Sequence, residues 1–491
     1  MQNLETFLLD KNYKSILEII NQLSKQPTRE LSFSDLEDKL NITKKTIKTY
    51  FDILLDYCNQ KNLETFTLQK GKLKMAMNTN FNIFDLYHHF TTNSIKYQII
   101  MTIFENPQIT FTDLYLDLAL SKSNASLHIK QINHFLKPYQ CKISFLQNRP
   151  LQGEEHQIRF LYYNLLWGLN QDKIIDSCPK LDQITTLLLE VTPNMPYVTL
   201  SKIKLGFYIF QVACKSGYFI ASEKQFILQD SPYITYDDFF EKIDALDFLN
   251  DCPDLVTKQK ESRYLYFLFC RANLLTLEEC QKYEHQIAPS NSPTVQYFVT
   301  RFQERSRLSL EQYEIVYLNY NLSLFNSEAA VFTGRAKTFD LEDMVDRYNK
   351  TSGNIPKLIQ KFINDLSNEN NDIKTLTQKF PSLHHYYTML LRVIAAKHQP
   401  PLKLLVQSSI SSLHRQALIS QIVNITSFPI VVYTSEQLNG QKPDGIVSNW
   451  MPEEKFRDVP FFSTSLFYTE WHKGELDLFL KRLEKNLRTY K

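Results

Sequence analysis

The sequence predicts a multi-domain, mainly α-helical protein that ends in a small α/β domain. Its 491 residues are too many for a single hydrophobic core, because domains usually contain about 100–150 residues. Apolar residues recur with a helical period up to about residue 398, and short apolar strands alternate with helices beyond it. Hydrophobic residues make up 43% of the chain and charged residues 22%, which is typical of a globular protein.

The composition argues against several classes of function. The chain has only 10 glycines, and it contains no GxGxxG, Walker A or GxSxG motif. We therefore expect no glycine-rich phosphate loop, no cofactor and no enzymatic activity. The seven cysteines are scattered without a CxxC pair, which indicates reduced thiols and no metal site. The formal net charge is +2, so any basic surface must be local.

The sequence also predicts a cytoplasmic protein without a membrane partner. Residues 1–14 mix acids with apolar residues and do not have the basic and apolar regions of a signal peptide. The longest apolar stretch, residues 264–270, is far shorter than the ~20 residues that span a bilayer.

The N-terminal third contains an internal repeat with an offset of 78 residues, so that residues 33–47 align with residues 111–125. Each copy has the spacing of two short helices joined by a tight turn. The first helix carries an apolar pair, Leu36 and Leu40 or Leu114 and Leu118. A turn residue and a side-chain cap of the second helix follow, Asn41 and Thr43 or Ala119 and Ser121.

A β-hairpin is predicted after each pair of helices. In the first copy, residues 64–68 and 72–75 flank Lys70-Gly71, and in the second, residues 142–146 precede Asn148-Arg149-Pro150. A hairpin in this place is the wing of a winged helix-turn-helix. We therefore predict two winged helix-turn-helix units, in residues 1–80 and 81–165.

The second helix and the wing of each unit carry polar and basic residues between the apolar positions. The predicted contacts to DNA are Lys44, Lys45, Thr46, Lys48, Thr49, Lys70 and Lys72 in the first unit, and Lys122, Ser123, Asn124, Ser126, Lys130 and Arg149 in the second. Lysines neutralise phosphates, and asparagine and serine can bind base edges in the major groove. The predicted partner is double-stranded DNA. Two alternatives stay open, a solvated helix face and a module that binds another protein.

The second copy continues into the segment GEEHQIRFLYY, residues 153–163. A Gly-Glu-x-x-x-Ile-Arg segment after a second helix-turn-helix resembles the Mga/AtxA group of virulence regulators from low-GC Gram-positive bacteria. The chain is similar to that group in layout over its whole length, and in residues over about 30–165 and more loosely 400–491. The resemblance implies promoter binding, activation of transcription, two PTS regulation domains, an enzyme-IIB-like C-terminal domain and a homodimer or higher oligomer.

Residues 166–285 and 286–398 are the two helical bundles that would correspond to the PTS regulation domains. In sugar-linked regulators these domains are controlled by phosphorylation of histidine, so a phosphocarrier protein of the phosphotransferase system would be a partner. No histidine lies between His156 and His285, which stands at the boundary of the two bundles, so the first bundle has no histidine within it to be phosphorylated. In the second bundle, His384 and His385 are the candidate phosphoacceptors.

The paired acids Glu154 and Glu155 are interpreted as residues that begin a helix, in preference to a catalytic carboxylate pair. Glu155 and Arg159 have the spacing of one helical turn, which predicts a surface ion pair.

Residues 399–491 form the predicted α/β domain, which looks like enzyme IIB. Strands are predicted at 402–406, 430–433, 445–448 and 461–464, and helices at 411–425 and 474–488. The inward residues of the first helix are predicted to be Leu413, Leu418, Ile422 and Val423. Enzyme IIB carries its phosphate on a cysteine, and this chain has none beyond Cys280, which favours a scaffold for dimerisation. A phosphocarrier of the enzyme-IIB type and an RNA-binding antiterminator remain the alternative functions.

Overall fold

The computed structural model describes residues 7–69, 71–76, 81–167, 180–221, 230–334, 355–398, 401–426, 429–434, 437–438, 441–464 and 470–489. They form two compact units, one within residues 1–274 and 330–337 and the other within residues 275–329 and 338–491. The protein is mainly helical with a small parallel sheet near its C-terminus, which confirms that part of the prediction. Throughout the described ranges, every helix is too short or too polar to cross a membrane. Lys70 and the predicted boundaries at 80 and 399 lie outside the described residues.

The first module, at the start of the chain, has the element order of a winged helix-turn-helix. Its elements are α1 (Lys11–Ser24), β1 (Glu30–Ser32), α2 (Phe33–Leu40), α3 (Lys44–Gln60), β2 (Phe66–Gln69) and β3 (Lys72–Met75). The strands form an antiparallel sheet in the order β1-β3-β2. Asn41 ends α2 in the left-handed conformation (φ 53°), which its side chain tolerates, and this places α3 across α2. Leu36, Ile47 and Phe51 are buried in the shared core.

The second module repeats this order. Its elements are α4 (Ile83–Thr92), α5 (Ile95–Glu105), α6 (Phe111–Asp117), α7 (Lys122–Leu136), β4 (Lys142–Ile143) and β5 (Leu151–Gln152). Ala119 takes the left-handed turn position at φ 50°. The hairpin is shorter than in the first module, with only two residue pairs. The Asn133 side chain stabilises it from α7, because it accepts from the Ile143 N–H at 2.6 Å and donates to the Ile143 carbonyl oxygen at 2.8 Å.

A buried helix, α8 (Glu155–Trp167), follows the second wing directly. It packs against the first helical bundle, which consists of α9 (Lys180–Val191), α10 (Tyr197–Lys215), α11 (Tyr236–Ala245) and α12 (Leu255–Ala272). Tyr162 of the same helix lies against Phe104 of α5, with ring centroids 4.4 Å apart. Residues from the second module and from the bundle thus pack against one helix.

The second unit begins with six helices. They are α13 (Leu277–Lys282), α14 (Pro293–Ser306), α15 (Gln312–Val331), α16 (Ile355–Glu369), α17 (Asn371–Lys379) and α18 (Ser382–Lys397). The buried Tyr387 hydroxyl of α18 donates to Asn326 Oδ1 of α15 at 2.6 Å. At the end of α18, Lys397 and His398 bind the buried Glu314 carboxylate, each at 2.9 Å.

A four-stranded parallel sheet forms the C-terminal domain. Its elements are β6 (Leu402–Gln407), α19 (Ser412–Ile425), β7 (Ile430–Tyr433), β8 (Gly445–Ser448), β9 (Phe461–Ser463) and α20 (Glu470–Thr489), and the strand order is β7-β6-β8-β9. All four predicted strands are present, each within one residue of the predicted bounds.

The predicted inward face of α19 is wrong in part. Leu418 and Ile422 are buried, but Leu413 is 74% exposed and Val423 is 55% exposed. At 100° per residue, both exposed side chains lie roughly 140° around the helix from Leu418, so they cannot share its buried stripe.

Candidate nucleic-acid interface

The second helix of the first module, α3, presents lysines to solvent. Thr43 caps the helix, since its Oγ1 accepts from the Thr46 N–H at 3.4 Å. Ile47, Phe51 and Leu54 form its buried stripe. The predicted contact residues lie outside that stripe: Lys44, Lys45, Lys48 and Thr49 are exposed, and Thr46 is half-buried. The helix therefore has one face that builds the core and another that carries three cationic side chains.

The wing of the first module adds fewer charges than its sequence suggests. Gly71 takes the positive φ (75°) that the turn between β2 and β3 requires. Lys72 is exposed beside it. Lys74, in contrast, pairs with Glu30 of the neighbouring strand at 2.9 Å, so its charge is compensated within the sheet.

The corresponding helix of the second module, α7, is more polar than basic. Ser121 caps it by accepting from the Asn124 N–H at 3.2 Å, and Ala125 and Ile132 are buried. Of the predicted contact residues, Lys122, Ser123, Ser126 and Lys130 are exposed, and Asn124 is half-buried. The hydroxyl groups of Ser121 and Ser123 lie 3.1 Å apart.

The segment that contains α7 and its wing has a local positive charge that the net charge of the chain does not reveal. Residues 118–153 contain no aspartate or glutamate, and their basic residues are Lys122, Lys130, Lys137, Lys142 and Arg149. A run of this kind favours binding to a polyanion.

Arg149 of the second wing is already bound by an acidic and an aromatic side chain of the protein. Its Nη1 donates to Glu155 Oε2 at 2.5 Å, and its guanidinium carbon lies 3.8 Å from the centre of the Tyr218 ring. The guanidinium therefore holds the second wing against α8 and the first bundle.

Glu155 also binds Arg159, but the predicted surface ion pair is wrong in its location. Arg159 is 1% exposed, and its Nε donates to Glu155 Oε1 at 2.9 Å. Glu261 of α12 is a second carboxylate partner of Arg159, because it accepts from Nη1 at 2.5 Å and from Nη2 at 3.0 Å. The spacing of Glu155 and Arg159 predicted their contact, and nothing in the sequence near them indicated Glu261.

The two carboxylates of this buried network determine the pKa of Arg159. Burial alone would lower the pKa of Arg159, but the carboxylates of Glu261 and Glu155 outweigh that effect and raise it well above the ordinary value. Because Arg159 also donates to the Tyr218 carbonyl oxygen at 3.1 Å, three acceptor groups from three segments of the chain bind one guanidinium.

The two candidate phosphoacceptor histidines lie near the start of α18. Both are half-buried, and their rings are perpendicular with centroids 6.3 Å apart. Burial lowers the pKa of His384, and the neighbouring His385 lowers it further. A phosphoacceptor role for His384 or His385 stays a prediction.

Two modules of helix, turn, helix and hairpin, each with an exposed polar helix face, have the arrangement of a DNA-binding protein. Residues 79–166, which contain the second module, match the family model of the Mga helix-turn-helix domain. This match supports membership of the Mga family and suggests a DNA-binding transcription regulator. No curated protein matches the chain.

Proposed function

We propose that the protein is a regulator of the Mga type that binds double-stranded promoter DNA through both modules and activates transcription in the cytoplasm. The observation that carries the proposal is the pair of exposed second helices, α3 and α7, each with its opposite stripe buried in a core. In this proposal each helix enters a major groove, where such a helix fits between the phosphate backbones.

In this proposal the first module contacts DNA mainly through charge, and the second module mainly through hydrogen bonds. Lys44, Lys45, Lys48 and Lys72 of the first module neutralise phosphates, which supplies affinity that depends on salt. In the second module, Ser123, Asn124 and Ser126 supply hydrogen bonds to bases. Lys122 and Lys130 bind phosphates of the DNA backbone and so position the module on the duplex. Arg149 is left out of this contact set, because Glu155 and Tyr218 already hold its guanidinium.

The proposal is tested by the salt dependence of DNA binding. The slope of log K against log salt is negative, and each phosphate contact that is lost makes it less steep by about 0.9. Replacing Lys44, Lys45 and Lys48 by alanine should therefore reduce the steepness by up to about 2.7. Fluorescence anisotropy of the full chain with a labelled duplex measures this slope.

The matched control replaces the exposed lysines Lys357, Lys361 and Lys374 in the second unit, which changes the net charge by the same amount. The control should keep the slope of the unchanged protein. Equal slopes for both triple variants would show that the lysines of α3 do not contact DNA, and a full chain that binds an RNA hairpin but no duplex would refute the proposed function.

We further propose that the helical domains receive the regulatory signal and that the C-terminal domain joins copies of the chain into a homodimer or higher oligomer. His384 and His385 would be the sites at which a phosphocarrier protein acts. Support for self-association comes from Leu413, Trp450 and Met451, three large apolar side chains that are exposed on the C-terminal domain.

A further inference from the structure

One exposed face of α7 has an apolar side chain in its middle. Leu127 is 53% exposed. Ser123 lies four residues before it and Lys130 three residues after it, so at helical spacing both are its neighbours on the same face, and Ser126 directly precedes it in the chain. All three are exposed as well. These three are among the residues that are proposed to contact DNA.

Leu127 must therefore approach the base edges if this face of α7 enters a major groove. Its position, the sixth residue of the helix, is within the N-terminal part that reaches bases in helix-turn-helix proteins. A leucine side chain forms no hydrogen bond, so it can distinguish bases only by apolar contact. In the major groove the apolar group is the C5 methyl of thymine.

We infer that Leu127 recognises a thymine in the bound sequence through contact with its C5 methyl group. The inference rests on the proposed function and adds to it one specificity-determining residue and the base that it selects. The first module carries a methyl group at the equivalent place, because Thr49 precedes Leu127 by the 78-residue offset of the repeat. Thr49 is exposed, and its hydroxyl donates to the Lys45 carbonyl oxygen at 3.2 Å.

The experiment begins with selection of bound duplexes from a random pool by the full chain. In the selected sequence, each thymine is then replaced in turn by deoxyuridine, which removes only the C5 methyl group. Loss of one buried methyl group corresponds to about a fourfold loss of affinity. We expect that loss at one or two positions, and little effect at the others.

The same substitutions are then measured with three variants. Leu127→Ala should bind the thymine and deoxyuridine duplexes with equal affinity at the sensitive positions, and Leu127→Met should keep the preference, since it keeps an apolar side chain of similar size. Leu116→Ala is the matched control, because Leu116 is exposed on the preceding helix, α6, and should leave the preference unchanged. An unchanged melting temperature confirms that each variant is folded.

The outcomes separate this inference from the proposed function. A selected duplex in which no thymine responds to deoxyuridine, or a Leu127→Ala variant that keeps the fourfold preference, would overturn the role of Leu127 and leave promoter binding in place. Failure of the full chain to select any duplex would overturn the proposed function, and this inference with it.

Discussion

Arg159 shows how one buried charge is stabilised by groups from separate parts of the chain. An arginine that is 1% exposed would be strongly unfavourable without partners, and here Glu155 and Glu261 both bind it. Glu261 also accepts from the Ile220 N–H at 2.8 Å, so both oxygens of its carboxylate accept hydrogen bonds. Removing one member of such a network leaves a buried charge without its counterpart. The loss of stability is therefore larger than the stability that the intact ion pair contributes.

We therefore expect Glu261→Ala to destabilise the packing of α12 against α8 by about 3–5 kcal/mol. Hydrogen exchange measured by mass spectrometry should show faster exchange of peptides from both helices, and unchanged exchange in α20. The control is Glu304→Ala, which removes an exposed ion pair with Arg301 and should leave the local stability almost unchanged, because solvent screens such a pair. Exchange in α8 and α12 that is no faster than in the unchanged protein would contradict a stabilising role for this network.

The residues that the sequence predicted well are those whose partners lie within one or two helical turns. Thr43 and Ser121 were predicted as caps, and both accept from an N–H three residues later. The contact of Arg159 with Glu261 spans 102 residues, and Arg149 reaches the ring of Tyr218, which lies in another part of the fold. Local spacing cannot predict such contacts, since they depend on how distant helices pack.

At the scale of elements, the 78-residue repeat predicted two successive modules because the same apolar positions recur in both. The lengths of the hairpins were not predictable in the same way. The second wing has only two residue pairs, and the Asn133 amide of α7 holds its first strand by hydrogen bonds. A side chain that replaces strand pairing leaves no periodic signal in the sequence.

Helix α18 should lose stability in mild acid. The folded state holds the pKa of His384 below its ordinary value of 6.5, through burial and through His385. Above that value the ring is neutral in both the folded and the unfolded chain. As the pH falls below about 6.5, the unfolded chain takes up a proton first, so the folded state loses stability until the pH reaches the folded pKa.

Hydrogen exchange of α18 peptides, corrected for the intrinsic pH dependence, should therefore show more frequent opening at about pH 5.5 than at about pH 7.5. His384→Gln should reduce this dependence, whereas His285→Gln, at an exposed histidine, should leave it as it is. An identical pH dependence in the unchanged protein and in the His384 variant would exclude His384 as its source.

At the scale of the whole molecule, the chain combines two modules, helical bundles and a parallel sheet. Changes in the spacing of apolar residues along the sequence predicted these kinds of structure. What periodicity could not predict is which apolar side chains stay exposed. In the C-terminal domain, the carboxyl ends of β6 and β8 lie side by side, since these strands are parallel neighbours. The loops after them are joined where the Ser409 N–H donates to Asn449 Oδ1 at 2.9 Å.

That edge of the sheet is where we expect copies of the chain to meet. Ile410 follows β6 and Leu413 is the second residue of α19, while Trp450 and Met451 follow β8. All four are exposed, and Trp450 and Met451 are 67% and 77% exposed. Single exposed apolar residues are common on protein surfaces, but four large ones on two joined loops and the first turn of α19 are typical of an interface.

A protein with both Leu413→Asp and Trp450→Asp should therefore sediment as a monomer at concentrations where the unchanged chain is a dimer or higher oligomer. Two carboxylates would have to lose their hydration in the interface, which is more unfavourable than the loss of apolar contact alone. The control is Leu478→Asp, which places one charge on an exposed position of α20 in the same domain and should leave the oligomer intact. If the double variant and the unchanged chain sediment alike as oligomers, the contact between copies lies elsewhere, and a chain that ends near Lys397 would then show whether the C-terminal domain contributes at all.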